Sequence, residues 1–128
     1  MVTPEFKAQV KEYFEYYRKV LILPKSWRFR IVINDKIKEY ATIVIDIQKR
    51  YYVININPKR NKNDVDLKDT ILHELIHSLL APATNQIDIL LEKIENKEEI
   101  DYKKAQKNLE AWEERLVLKL TQIILKIK

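Results

Sequence analysis

The chain of 128 residues contains no cysteine and no glycine, four prolines and two histidines. Without cysteine there can be neither a disulfide nor a thiolate metal site, so any metal must be held by imidazole nitrogen and carboxylate oxygen. Without glycine, every tight turn has to use a residue carrying a Cβ. The turns "NDK" (34–36) and "NKND" (61–64) offer Asn and Asp, which tolerate left-handed backbone better than other such residues. Also missing is any apolar run long enough to cross a membrane. The N-terminal stretch "MVTPEFKAQVKEYFEYYRKV" is broken by charges where a secretory signal needs an unbroken apolar segment, so an intracellular, cytoplasmic protein is expected. Neither sign of charge dominates. The 24 basic and 19 acidic residues, net +5, are interspersed as on a solvated surface, which argues against a dedicated nucleic-acid site. Abundant Ile, Lys and Glu with few flexible residues suit a thermophile, as they also suit a biased genome.

What is present reads as one domain over residues 1–128, since the chain is long enough for a single core but not for two. Pro4 suits a first helical turn, and Phe6, Val10, Tyr13, Phe14, Tyr17 and Leu21 recur at three- and four-residue steps, predicting a helix over 4–22 stopped by Pro24. The period then changes to two. Trp27, Phe29, Ile31 and Ile33 share one face, as do Ala41, Ile43, Ile45 and Ile47, and then Tyr52, Ile54 and Ile56; joined by short polar turns, the three strands suggest an antiparallel meander. Asp64 or Asp66 can cap a following helix whose stripe is Leu72, Ile76, Leu79 and Leu80, closed by Pro82. Another helix is expected over 84–95, and a last one through Leu109, Trp112, Leu116, Leu120, Ile123, Ile124 and Ile127. The fold class is therefore α+β.

Both histidines fall in "HELIH", residues 73–77. Two histidines placed at random on this length lie four apart about once in seventy placements, and Glu74 lowers the odds further. Four residues is one helical turn, so His73 and His77 can aim two imidazoles at one point, leaving Glu74 beside that point and not on it. Two such ligands with an adjacent carboxylate suit catalytic zinc: the ion would lower the pKa of a water, and Glu74, as general base, would take its proton during attack on a peptide carbonyl and pass it to the leaving amine. A third ligand has to come from elsewhere.

"HELIH" resembles the HExxH signature of the zincin metallopeptidases, and the order helix, strands, motif helix is similar to their N-terminal half-domain. The continuation "HELIHSLLAPA" has Leu80 and Ala83 where metzincins have glycine and a third histidine, which excludes that branch. The pattern instead resembles the gluzincins, in which a glutamate on a later helix is the third ligand. Single-domain minigluzincins and short HExxH proteins of phage and archaeal elements match the length. The resemblance implies a zincin-like domain, a Zn2+ cofactor, a peptide or protein substrate, and a strand bordering the cleft. "YYVININP" would be that edge strand, with Asn55 and Asn57 alternating toward one face and Asn57 also suited to a surface turn beside Pro58.

Among glutamates, Glu113 falls inside the apolar stripe of the last helix, four after Leu109 and three before Leu116, where a carboxylate without a role is costly to bury. It is the preferred third ligand. Glu114 lies about 100° further round and would serve if the helix is rotated, with Glu95 and Glu98 in reserve. Whichever of the pair binds metal, the other can orient a ligand histidine. Tyr51, Tyr52 and Tyr102, expected mainly as packing residues, and Arg115 are candidates to stabilise an oxyanion. The rival to a peptidase is a catalytically silent zinc-binding module that interacts with nucleic acid or protein.

Overall fold

A computed structural model describes residues 3–23, 25–98 and 101–127, the side chains of 94–98 excepted. The first helix, α1 (Pro4–Val20), starts where Thr3 accepts a hydrogen bond from the Phe6 amide and Pro4 takes the first turn, a position that needs no N–H. Its end shows what the lack of glycine costs. The Ile22 amide donates to the Lys19 carbonyl and the Leu23 amide to Arg18, a closure that places the intervening residue in left-handed backbone. That residue is Ile22, at φ 54°, a β-branched side chain in a region that favours glycine. Arg50, at φ 51°, does the same in the turn after the second strand. The expectation that Asn and Asp would supply these conformations is thus corrected. The side chains of Asn34, Asp46 and Asn63 instead accept backbone N–H bonds in turns and caps.

Strands β1 (Arg28–Ile33), β2 (Ala41–Asp46) and β3 (Tyr51–Ile56) form a sheet in the order β1-β3-β2. β2 and β3 are an antiparallel hairpin, but β1 runs parallel to β3, with Ile31 opposite Ile54. The sheet is mixed and not a meander. The faces follow the alternation: Ile31, Ile43 and Ile54 lie in register toward the core. What alternation does not specify is order. The 34–40 connection arches over the end of β3 and so places β1 on its far side. Asn57 and Asn61 hold the arch there. Asn57 donates its amide to the Ile37 carbonyl at 2.7 Å, and Asn61 donates to Tyr40 and Asn57 carbonyls at 2.9 and 2.8 Å. Asn61 accepts in turn from the Thr70 hydroxyl at 2.6 Å. Asn57 is therefore a buried clamp, not a surface residue, although its Oδ1 does accept the Lys59 amide in a turn.

The next helix, α2 (Asp64–Glu98), is capped by Asn63, whose Oδ1 accepts the Asp66 amide, and not by either aspartate. It runs through Pro82 without ending. A proline inside a helix forfeits one backbone bond and costs about 3 kcal/mol. The last helix, α3 (Tyr102–Ile127), offsets this by packing antiparallel to α2 on both sides of the proline: Glu114 meets His77 before it, and Glu113 and Tyr102 meet Thr84 and Asp88 after it. The two helices expected before and after Pro82 are one.

The core joins Val10, Phe14 and Tyr17 of α1, Tyr52, Ile54 and Ile56 of β3, Leu67, Ile71, Leu72, Leu75 and Ile76 of α2, and Val117 of α3. Each such side chain removed from water contributes roughly 1.5–3 kcal/mol. Leu79, expected in the stripe of α2, is exposed, as are Trp112, Ile123 and Ile127 of α3. The buried line of α3 instead passes through Val117 and Thr121, so the helix is rotated from the setting its apolar residues suggest. Among the described residues, no helix is long and apolar enough to cross a membrane.

Candidate metal centre

The first half of α2 lies among the sheet, α1 and α3, and its side toward β2 is left open as a cleft. His73, Glu74 and His77 occupy that side because the opposite face, through Leu72, Leu75 and Ile76, is committed to the core. The two imidazole rings stand 5.0 Å apart at 65°, as one turn of helix dictates. Both present Nε2 to a single carboxylate. Glu114 Oε1 is 3.0 Å from His73 Nε2, and Glu114 Oε2 is 3.0 Å from His77 Nε2. Ligand atoms of the three residues lie within 4.8 Å of one another.

Glu113 is also close, but on the other side of His77, its Oε1 3.7 Å from Nδ1 and accepting from the Thr84 hydroxyl at 3.3 Å. The expected preference between the two glutamates is therefore reversed. Glu114, half exposed at 48%, converges with both histidines, while Glu113, at 16%, backs one of them. Glu113 does lie between the two helices, beside Thr84 and the back of His77. The direction shared with both Nε2 atoms lies one residue further round, at Glu114. The side chains of Glu95 and Glu98 lie outside the described residues.

Two imidazole nitrogens and one carboxylate oxygen are a donor set suited to a first-row divalent ion. The Glu113 carboxylate, 3.7 Å from Nδ1 of His77, favours by its charge the tautomer with the proton on Nδ1, whose Nε2 lone pair is free to ligate. The three-residue group could hold such an ion with a position left open toward the cleft.

Glu74 is 8% exposed and has no hydrogen-bond partner among the described residues. Burial pushes its pKa up from 4.5 to about 7, with Glu114 adding to the rise and His77 opposing it. Its carboxyl therefore changes protonation near neutrality. Burial also lowers the pKa of His73, against the pull of Glu114.

The candidates for oxyanion stabilisation do not gather here. Tyr52 is in the core with its hydroxyl facing Arg18, Tyr102 donates to Asp88 where the start of α3 meets the second half of α2, Tyr51 begins β3, and Arg115 is exposed. The tyrosine that lines the cleft beside His73 and Glu74 is Tyr40, with Asp66, Asp69 and Thr70. Nothing in local periodicity marks Tyr40, which reaches the cleft only because the arch delivers it.

The cleft-bordering strand is also a different one. β3 is hydrogen-bonded on both sides and has no free edge. β2, at the edge of the sheet, lines the cleft through Ala41, Ile43 and Ile45. Compared with protein-family models, curated proteins and solved structures, the chain matches none.

Proposed function

We propose that this protein is a zinc-dependent peptidase in which His73, His77 and Glu114 hold the ion and Glu74 moves the proton. The observation that carries the reading is the convergence of both Nε2 atoms on one carboxylate, with a buried carboxyl of raised pKa next in sequence. Zinc, when bound, supplies a Lewis acid that makes water nucleophilic near neutral pH.

The remaining chemistry falls to the chain. Glu74, able to exchange a proton near pH 7, accepts one from the attacking water and returns it to the amine nitrogen as the peptide bond breaks. Glu113, held by Thr84, keeps the ring of His77 from turning. β2 offers its outer row of unpaired backbone groups to an extended substrate, which would add as a further strand alongside the cleft.

Metal analysis and hydrolysis of a quenched peptide library test this directly. The purified protein should carry one zinc per chain and cleave peptides, and Glu74→Gln should keep the zinc while losing cleavage. Loss of metal in that variant would make Glu74 a ligand and exclude the assigned role.

A further inference from the structure

Two clefts flank the His73, His77 and Glu114 group, and their walls carry charge of one sign. The first, about 290 Å³, lies between the arch and the first half of α2, where Asp66, Asp69 and Glu74 line it with Tyr40. The second, about 330 Å³, lies between β2 and the α2 and α3 pair, lined by Asp88, Glu110 and Glu113. Among the described residues no lysine or arginine lines either, in a chain where basic residues outnumber acidic ones 24 to 19. Arg60 stands just outside the first cleft, over the Tyr40 ring at 5.6 Å from its centroid, and is not among the lining residues.

Within the first cleft the carboxylates have few partners. Asp66 Oδ2 accepts from the Asn63 side-chain amide, Asp69 faces no cation but the neighbouring His73, and among the described residues neither aspartate pairs with a lysine or arginine. Glu74, more than nine-tenths buried, lines the same space with no donor. The half-buried Asp66 and exposed Asp69 add a negative potential at the mouth that favours a cation, and Glu74, buried in this way, is costly to ionise unless a ligand brings positive charge or N–H groups. A lysine or arginine side chain does both, and its apolar stem can lie along Tyr40 and Ala41 while the head stays polar.

We propose that the cleft beside His73 is a specificity pocket for a lysine or arginine side chain of a peptide lying along β2, with the cationic head received by Asp66 and Asp69. The proposal rests on the peptidase reading for the peptide's position, but the pocket can be tested without turnover. A polyanion such as nucleic acid is repelled from the same walls, so the cleft does not serve the rival module.

The test is fluorescence anisotropy of neutral-dye peptides, identical except for one central Lys, norleucine or Glu, on the full-length Glu74→Gln protein with zinc present. The Lys peptide should bind about tenfold more tightly than the norleucine peptide, and the Glu peptide more weakly than both. Replacing Asp66 and Asp69 together by Asn should reduce Lys binding to the norleucine level with the thermal unfolding midpoint unchanged. The same charge change on α1, Glu5→Gln with Glu12→Gln, should leave the preference intact. Equal binding of the three peptides, a Lys preference that survives in the Asp66 and Asp69 variant, or binding of no peptide overturns the pocket. Wild-type hydrolysis separates the two ideas: cleavage indifferent to charge overturns the pocket and leaves the peptidase, whereas Lys-selective binding without any cleavage leaves the pocket and overturns the peptidase.

Discussion

Glu74 links the stability of the metal-free protein to pH in a direction that can be worked out beforehand. Its pKa is raised from 4.5 to about 7 in the folded chain, chiefly by burial, so the folded state holds this proton more tightly than the unfolded one. The stability this contributes is present below about pH 4.5 and is lost as pH rises through about 7. At about 1.4 kcal/mol per pH unit between the two values, the loss is about 3 kcal/mol, a large share of the stability of a small domain. His73 acts in the opposite sense. Its lowered pKa means the unfolded chain binds the proton more tightly, so its contribution rises as pH approaches 6.5 from below.

Comparing wild type with Glu74→Gln separates the first effect from that of His73, because Glu74 is not among the groups acting on His73. Urea unfolding after removal of metal, at steps from about pH 4 to about pH 8, should show the variant gaining on wild type by about 3 kcal/mol across the range. Parallel curves for the two proteins, or a gap that closes as pH rises, would refute a buried carboxyl with raised affinity for its proton. Zinc should reduce the dependence, since a neighbouring cation favours the ionised form.

Three further outcomes are expected. Glu114→Ala should weaken zinc binding by two orders of magnitude or more and Glu113→Ala by about tenfold, since one loses a ligand and the other a partner of His77; metal titration gives the order. Asn61→Ala should destabilise the fold by about 2 kcal/mol in denaturant titration, because it takes the acceptor from the buried Thr70 hydroxyl and one of two donors from each of the Tyr40 and Asn57 carbonyls. Ile22→Gly should raise stability by about 1 kcal/mol and the melting temperature by a few degrees, as it relieves left-handed strain at a side chain that is 86% exposed and has little packing to lose.

Features that depend on neighbours along the chain were legible in the sequence. A helical turn spans 3.6 residues wherever it occurs, so "HELIH" alone places two imidazoles on one side and Glu74 beside them. Alternation alone assigns Ile31, Ile43 and Ile54 to one face of their strands. The class of the fold and the candidate ligands His73 and His77 follow from such local periodicities. They carry no information about which strand lies next to which: a seven-residue connection after β1 can return as a hairpin or arch over a third strand, and here the amides of Asn57 and Asn61, distant partners of Ile37 and Tyr40, hold the arch.

The rotation of α3 is the same kind of problem. Its apolar residues, from Leu109 through Ile127, span too wide an arc to name one inward direction, and an error of one residue turns a side chain by about 100°. Packing of Val117 and Thr121 against the rest of the molecule chooses the setting, and with it brings Glu114 to both histidines and sends Glu113 behind one. The sequence thus determined the motif, the strand faces and the pool of possible ligands, because those rest on a repeat a few residues long. Tertiary structure alone decided the strand order, the edge strand beside the cleft, the place of Tyr40 and the choice of glutamate, because each depends on contacts between segments tens of residues apart whose fit no local period encodes.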